Sequence, residues 1–162
     1  MTNQRFLIGS ASDTGRVRSM NEDAFVVTDQ VFAVADGMGG HAGGDIASAL
    51  TTQKVAKVDR VYDSPEEATK ALIDVIWEAN ALLGTTAQQH PELSGLGTTF
   101  SGIVFTGDRV TVGHIGDSRI YLARDGEVSQ VTSDHTFVQR LVETGRITAV
   151  EALVHPRRSV LM

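Results

Sequence analysis

Asp36 ends an apolar run, Val31-Phe32-Ala33-Val34-Ala35, and opens a glycine-rich one, Gly37-Met38-Gly39-Gly40-His41-Ala42-Gly43-Gly44-Asp45. The apolar run reads as a buried strand. Its carboxylate then stands where a rigid support leaves the core and faces an open site. The glycines let the backbone come close to a ligand and bare its carbonyls. A carboxylate beside such carbonyls is donor chemistry for a hard cation such as Mg²⁺ or Mn²⁺, with water filling the remaining positions. Alone, Asp-Gly is better read as a helix N-cap in a tight turn. Two further acidic clusters move the balance to a metal site: Asn21-Glu22-Asp23, after Arg16-Val17-Arg18-Ser19-Met20, and Gly116-Asp117-Ser118-Arg119, after His114-Ile115. A nucleotide loop is set aside, because the glycine run lacks the Gly-Lys-Ser/Thr ending and the dinucleotide spacing.

The elements that must position these groups belong to one domain of 162 residues, long enough for a real core. Hydrophobic residues make up 41% and charged ones 21%, as in soluble globular proteins. The net charge of −6 argues against nucleic acid or an anionic membrane as partner. There is no cysteine, hence no disulfide, thiolate zinc site or Cys-type phosphatase nucleophile. No signal-peptide core or membrane-length segment is visible, so a cytoplasmic location is expected.

Arg5 to Ser10 reads as a first strand, and Ala24–Thr28 with Val31–Ala35 as a hairpin. A helix is expected from Gly43–Asp45 to about Arg60, with Ile46, Ala49 and Leu50 on a loosely defined apolar face. Ser64-Pro65-Glu66-Glu67 supplies an N-cap, a first-turn proline and a capping-box glutamate. Ala68, Ala71, Leu72, Val75, Ile76, Ala79, Leu82 and Leu83 follow at helical spacing, Trp77 lies off that face, and residues 85–91 end the helix. Thr99–Thr106, Arg109–Ile115, Arg119–Arg124 and Glu127–Thr132 read as an antiparallel meander. Phe137–Thr144 and Ala149–Val154 read as short helices with Gly145 as a C-cap. The class is α+β.

Arg18-Ser19-Met20-Asn21-Glu22-Asp23, Asp36-Gly37-Met38-Gly39-Gly40-His41, Gly95-Leu96-Gly97-Thr98-Thr99 and Gly116-Asp117-Ser118-Arg119 stand in the order found in the metal-dependent protein phosphatases. The chain resembles this PPM or PP2C-like family, above all its bacterial serine/threonine phosphatases, from about Ser10 to Met162. The resemblance implies a four-layer αββα sandwich of two antiparallel sheets flanked by helices. It also implies two, and with a further site three, Mg²⁺ or Mn²⁺ ions. The expected partners are phosphoproteins, including a cognate serine/threonine kinase and its targets.

By the same resemblance Asp36 is the bridging metal ligand and Gly37 offers its carbonyl. Glu22 and Asp23 act through water, and Asp117 with the Ser159 carbonyl serves the third ion. Arg18 holds the substrate phosphate, for which its planar guanidinium is suited; Arg16 is read as a surface residue. His41 is the candidate general acid, although animal members carry that histidine directly after Asp-Gly, where Met38 stands here. His114 is read as a packed or supporting histidine. Asp134-His135-Thr136 opens a flap segment running to about Val154 that bears on substrate choice.

Complete family members continue with a Ser-Asp-Gly strand end and a Gly-x-x-Asp-Asn segment, each giving a metal carboxylate, and neither is found here. The expectation is therefore the N-terminal two-thirds of a phosphatase domain. If these residues are the whole molecule, weak activity and self-association are expected. A non-catalytic phosphatase-like binding module is the competing reading.

Overall fold

The computed structural model describes residues 7–39 and 43–162. Its element order is β1 (Asp23–Val27), β2 (Val31–Met38), α1 (Gly44–Val55), α2 (Pro65–Gln89), β3 (Gly97–Thr98), β4 (Phe100–Thr106), β5 (Arg109–Ile115), β6 (Tyr121–Arg124), β7 (Glu127–Gln130), α3 (Phe137–Glu143) and α4 (Ala149–Val154). β1, β2, β4 and β5 lie side by side in that order, with short β3 paired to the far end of β2. All pairings are antiparallel. β6 and β7 form a separate hairpin sheet. The class is thus α+β with two antiparallel sheets, as the sequence leads one to expect.

Alternation along β2 explains how the sheet is covered. Val31, Ala33 and Ala35 are buried under the helices, while Val34 and Asp36 face the opposite side. Val31, Ala33, Phe100 and Val104 join Val55 of α1, Ala68, Leu72 and Val75 of α2, and Tyr62 in one core cluster. Gly102 and Gly113 are cross-strand partners. A side chain on either would run into the Phe100 ring, so the pair makes the slot that ring fills.

The helices differ from expectation in instructive ways. α1 ends at Val55 and continues as a 3₁₀ turn over Ala56–Val58. Its buried side is Gly44, Ala47, Ser48, Thr51, Thr52 and Val55, not the Ile46–Leu50 face. Small residues allow a close approach, and the Thr52 hydroxyl satisfies itself by donating to the Ser48 carbonyl at 2.9 Å. Such a face has little apolar periodicity to read.

α2 begins as expected, with the Ser64 hydroxyl accepting from the Glu67 N–H at 3.2 Å. The Glu67 carboxylate, however, accepts from Asp63 N–H at 3.1 Å, and its other oxygen pairs with Arg60 at 2.7 Å, so the reciprocal capping box is not formed. The helix runs through Thr85 and Thr86, whose hydroxyls donate to the Ala81 and Leu82 carbonyls at 2.9 Å. It stops at His90, where Pro91 disfavours helical backbone in the residue before it.

Residues 7–10 form no strand, and Arg5 and Phe6 lie outside the described residues. The expected meander is broken between β5 and β6, because Gly116 at φ 103° turns the chain out of the sheet. Gly145 does cap α3. At φ 68° its N–H donates to the Val142 carbonyl at 2.9 Å, and Arg146 N–H donates to Leu141 at 2.8 Å, a Schellman closure.

Leu72 is 2% exposed and Trp77 69% exposed on the same helix. Leu72→Ala is expected to cost about 2–5 kcal/mol in urea unfolding. Trp77→Ala should stay within about 0.5 kcal/mol of the parent. Equal costs would show that the core is not the one described.

Candidate metal and phosphate site

Asp36 is not at the exit of its strand but within it, directly opposite Asp23, the first residue of β1. Like charges facing each other across an antiparallel pair repel. The Asp36 carboxyl is accordingly pushed above the ordinary carboxylate range. Loss of solvent is the largest cause, followed by the charges of Asp23 and Asp117 and a side-chain hydrogen bond with Asp23; Arg18 opposes them.

Three hydrogen bonds from two residues hold the Asp36 backbone. Its N–H donates to the Thr99 hydroxyl at 2.9 Å, and its carbonyl accepts from Thr99 N–H and the Thr98 hydroxyl, each at 2.9 Å. Gly37 N–H donates to the Glu22 carbonyl at 3.0 Å. A Cβ on Gly37 would strike the Gly44 carbonyl, and one on Gly44 would strike the Glu22 carboxylate. At Gly37 the strand end, the start of α1 and the loop before β1 therefore meet backbone to backbone, with the Glu22 side chain packed on Gly44.

Glu22 uses this position to hold Arg18, whose guanidinium reaches its carboxylate at 2.9 Å. Asp117 lies on the loop between β5 and β6. His135 N–H donates to the Gly116 carbonyl at 2.7 Å, and the Arg119 fork grips Asp134 at 2.8 and 2.6 Å. Beyond α4, Ser159 precedes a single bridge between Thr136 and Leu161.

Arg18, Glu22, Asp36, Gly37, Asp117 and Ser159 line one cavity of about 690 Å³. Asp23 lines an adjoining pocket together with Asp36 and Ser118. His41 lies outside the described residues. A smaller, apolar groove of about 540 Å³ on the open face of the sheet, lined by Phe25, Val34, Ile103 and Phe105, carries none of these groups.

The donors fit a hard divalent cation in kind, since carboxylates crowded against one another are relieved by positive charge. Among the described residues no three acidic or histidine side chains stand close enough to hold an ion by themselves. What is present is part of a coordination shell. Thr98, Thr99 and the Arg119–Asp134 pair were not legible as site residues. Their motifs are visible in the sequence, but nothing in the spacing says that a hydroxyl supports Asp36 across sixty-odd residues.

The protein-family profile described as "Protein phosphatase 2C" matches residues 15–159. Serine/threonine protein phosphatase PstP of Mycobacterium tuberculosis (strain H37Rv) is 47% identical over 152 residues, covering 93% of this chain and 29% of that protein. Serine/threonine phosphatase stp of Listeria innocua is 35% identical over 93% of this chain and 63% of its own length. The crystal structure of M. tuberculosis PstP/Ppp superposes with a TM-score of 0.87 at 44% identity, over 94% of this chain and 64% of that one. The catalytic domain of PstP in complex with two manganese ions gives 0.81 at 43% identity, over 88% of this chain and 61% of that one. The chain thus spans less than two thirds of each of these relatives.

A carboxyl that binds its proton more tightly folded than unfolded costs stability as pH rises through the window from its ordinary value to its raised one. Above that window the cost is complete. In chelator-treated protein at neutral pH, Asp36→Asn is expected to raise the thermal midpoint. The gain should shrink on acidification towards the ordinary value of 3.8. Melting curves across pH test this, and a lowered midpoint for the variant at neutral pH would refute it.

Proposed function

Because the chain belongs to the protein phosphatase 2C family, we propose that it hydrolyses phosphoserine and phosphothreonine in proteins with the help of Mg²⁺ or Mn²⁺. The observation that carries this reading is a guanidinium, Arg18, sharing one cavity with Asp36, Gly37 and Asp117. A phosphate needs a cationic fork on one side and charge neutralisation on the other, and this cavity offers residues for both.

Bound cations would supply an activated water and neutralise the phosphoryl oxygens. Asp36 and the Gly37 carbonyl are the residues to hold a pair of ions. Asp117 and the Ser159 carbonyl are those for a third, and Asp23 contributes through water. Arg18 receives the phosphate with two parallel N–H donors while Glu22 keeps it in place. Glu22 thereby acts on the phosphate through Arg18 as well as on the ions through water. His41 is proposed as the donor of a proton to the leaving serine or threonine oxygen. The segment from Asp134 to Val154 borders the site and is proposed to bear on substrate choice. The substrates proposed are phosphoproteins, among them a cognate kinase and its targets, in the cytoplasm. Among the described residues no helix is long and apolar enough to cross a membrane. All of this is assigned to a single domain, 1–162.

The absence of a three-carboxylate cluster among the described residues supports a second reading, a module that binds phosphoprotein without turning it over. Hydrolysis of a phosphothreonine peptide with and without Mn²⁺ separates the two. Turnover that requires Mn²⁺ and is lost in Asp36→Asn is expected. Arg18→Lys should reduce kcat/KM about ten- to a hundred-fold, the worth of a charge-assisted hydrogen bond of about 1.5–3 kcal/mol. Binding of the peptide without any turnover would favour the module.

A further inference from the structure

His114 sits on β5 opposite Ser101 of β4, and both its ring nitrogens are engaged. Nδ1 lies 2.9 Å from the Ser101 hydroxyl and Nε2 lies 3.0 Å from the Ser133 carbonyl. A carbonyl only accepts, so Nε2 must carry a proton. The Ser101 hydroxyl has one proton of its own, and a 2.6 Å contact with the Ser118 carbonyl requires it there. The same hydroxyl can then only accept from His114, so Nδ1 must carry a proton as well. From this proton count we infer that His114 is an imidazolium in the folded protein, and that its charge positions the Asp117 loop.

The His135 ring tilts over His114 with centroids 4.8 Å apart. Its Nδ1 accepts from Gly116 N–H at 3.4 Å. From the same segment Asp134 is taken up by Arg119, and Glu143 of α3 takes the Ser133 hydroxyl at 3.0 Å. Asp117 lies three residues along the chain from His114, and β4 contributes no charged side chain. One cation thus ties Ser101 and, through it, the Ser118 carbonyl to the Ser133 backbone. Ser118 directly follows Asp117, and Ser133 directly precedes Asp134, which Arg119 of the same loop grips. Ser118 also shares a 2.7 Å hydrogen bond with Thr99, which holds Asp36. His114 is therefore a positioning residue for both carboxylates, and it need not touch substrate.

The charge state stands without the proposed function; the consequence for metal binding rests on it. Ring-nitrogen ¹⁵N spectra of the intact protein at pH 7, assigned with His114→Gln, read the first directly. Two protonated nitrogens are expected for His114. A singly protonated His114 overturns the inference. Ser101→Ala removes the acceptor at Nδ1 and is expected to turn the His114 pattern neutral; persistence of both protons there also overturns it. The wild-type spectrum decides alone if that variant fails to fold. Calorimetric Mn²⁺ titration is expected to show roughly ten-fold weaker binding in His114→Gln, as for other groups that orient metal ligands. Unchanged affinity refutes the positioning role. No Mn²⁺ binding by the parent chain would instead sink the metal reading and leave the charge assignment intact.

Discussion

Backbone approach at Gly37 is the constraint on which the site depends. There the end of β2, the first turn of α1 and the loop leading into β1 meet without an intervening Cβ. The contact sets where Asp36 emerges and where Glu22 can reach for Arg18. Any side chain at Gly37 or Gly44 would move the carboxylate, Arg18 and the helix together. Close packing leaves no soft route by which the crossing could open while the site kept its shape.

The same crossing brings Asp36 and Asp23 face to face, an arrangement a sheet would avoid on stability grounds. It is tolerated because the opposite face of β2 is bound into the core by Val31, Ala33 and Ala35. The hydroxyl clamps from Thr98 and Thr99 hold the strand end against the repulsion. One strand thus serves two purposes by alternation: Asp36 stands on its open face while Val31, Ala33 and Ala35 anchor the other.

How much of this the sequence reveals depends on the range of the interaction. Asp36 after an apolar run, the Ser64 cap, the α2 stripe and the Gly145 stop are local patterns, and each is found in the structure. The buried face of α1 is not legible, because its residues are small or hydroxylated and leave no periodic trace. The separation of β5 from β6 leaves no local mark, because a short glycine connection looks the same whether or not its strands pair. Of the candidate site, Arg18, Glu22, Asp36, Gly37 and Asp117 stand in sequence motifs, Ser159 follows only from the resemblance, and all six line one cavity. The supports were not legible. Thr99 under Asp36, Asp134 beside Arg119 and Ser101 beside His114 are contacts across strands or segments, and a linear reading has no rule for them.

The strand order has a consequence for how the chain comes together. Val34 pairs with Phe25 on one side and with Ser101 on the other, and both long helices are inserted between β2 and β4. During synthesis the β1–β2 hairpin can close almost at once, but the other edge of β2 stays open until residues 101–104 have been made. Closing that large loop is entropically costly and therefore slow. Meanwhile an open, apolar strand edge is available to a neighbouring nascent chain. Helices α1 and α2, already complete by then, can shelter one face of the waiting hairpin.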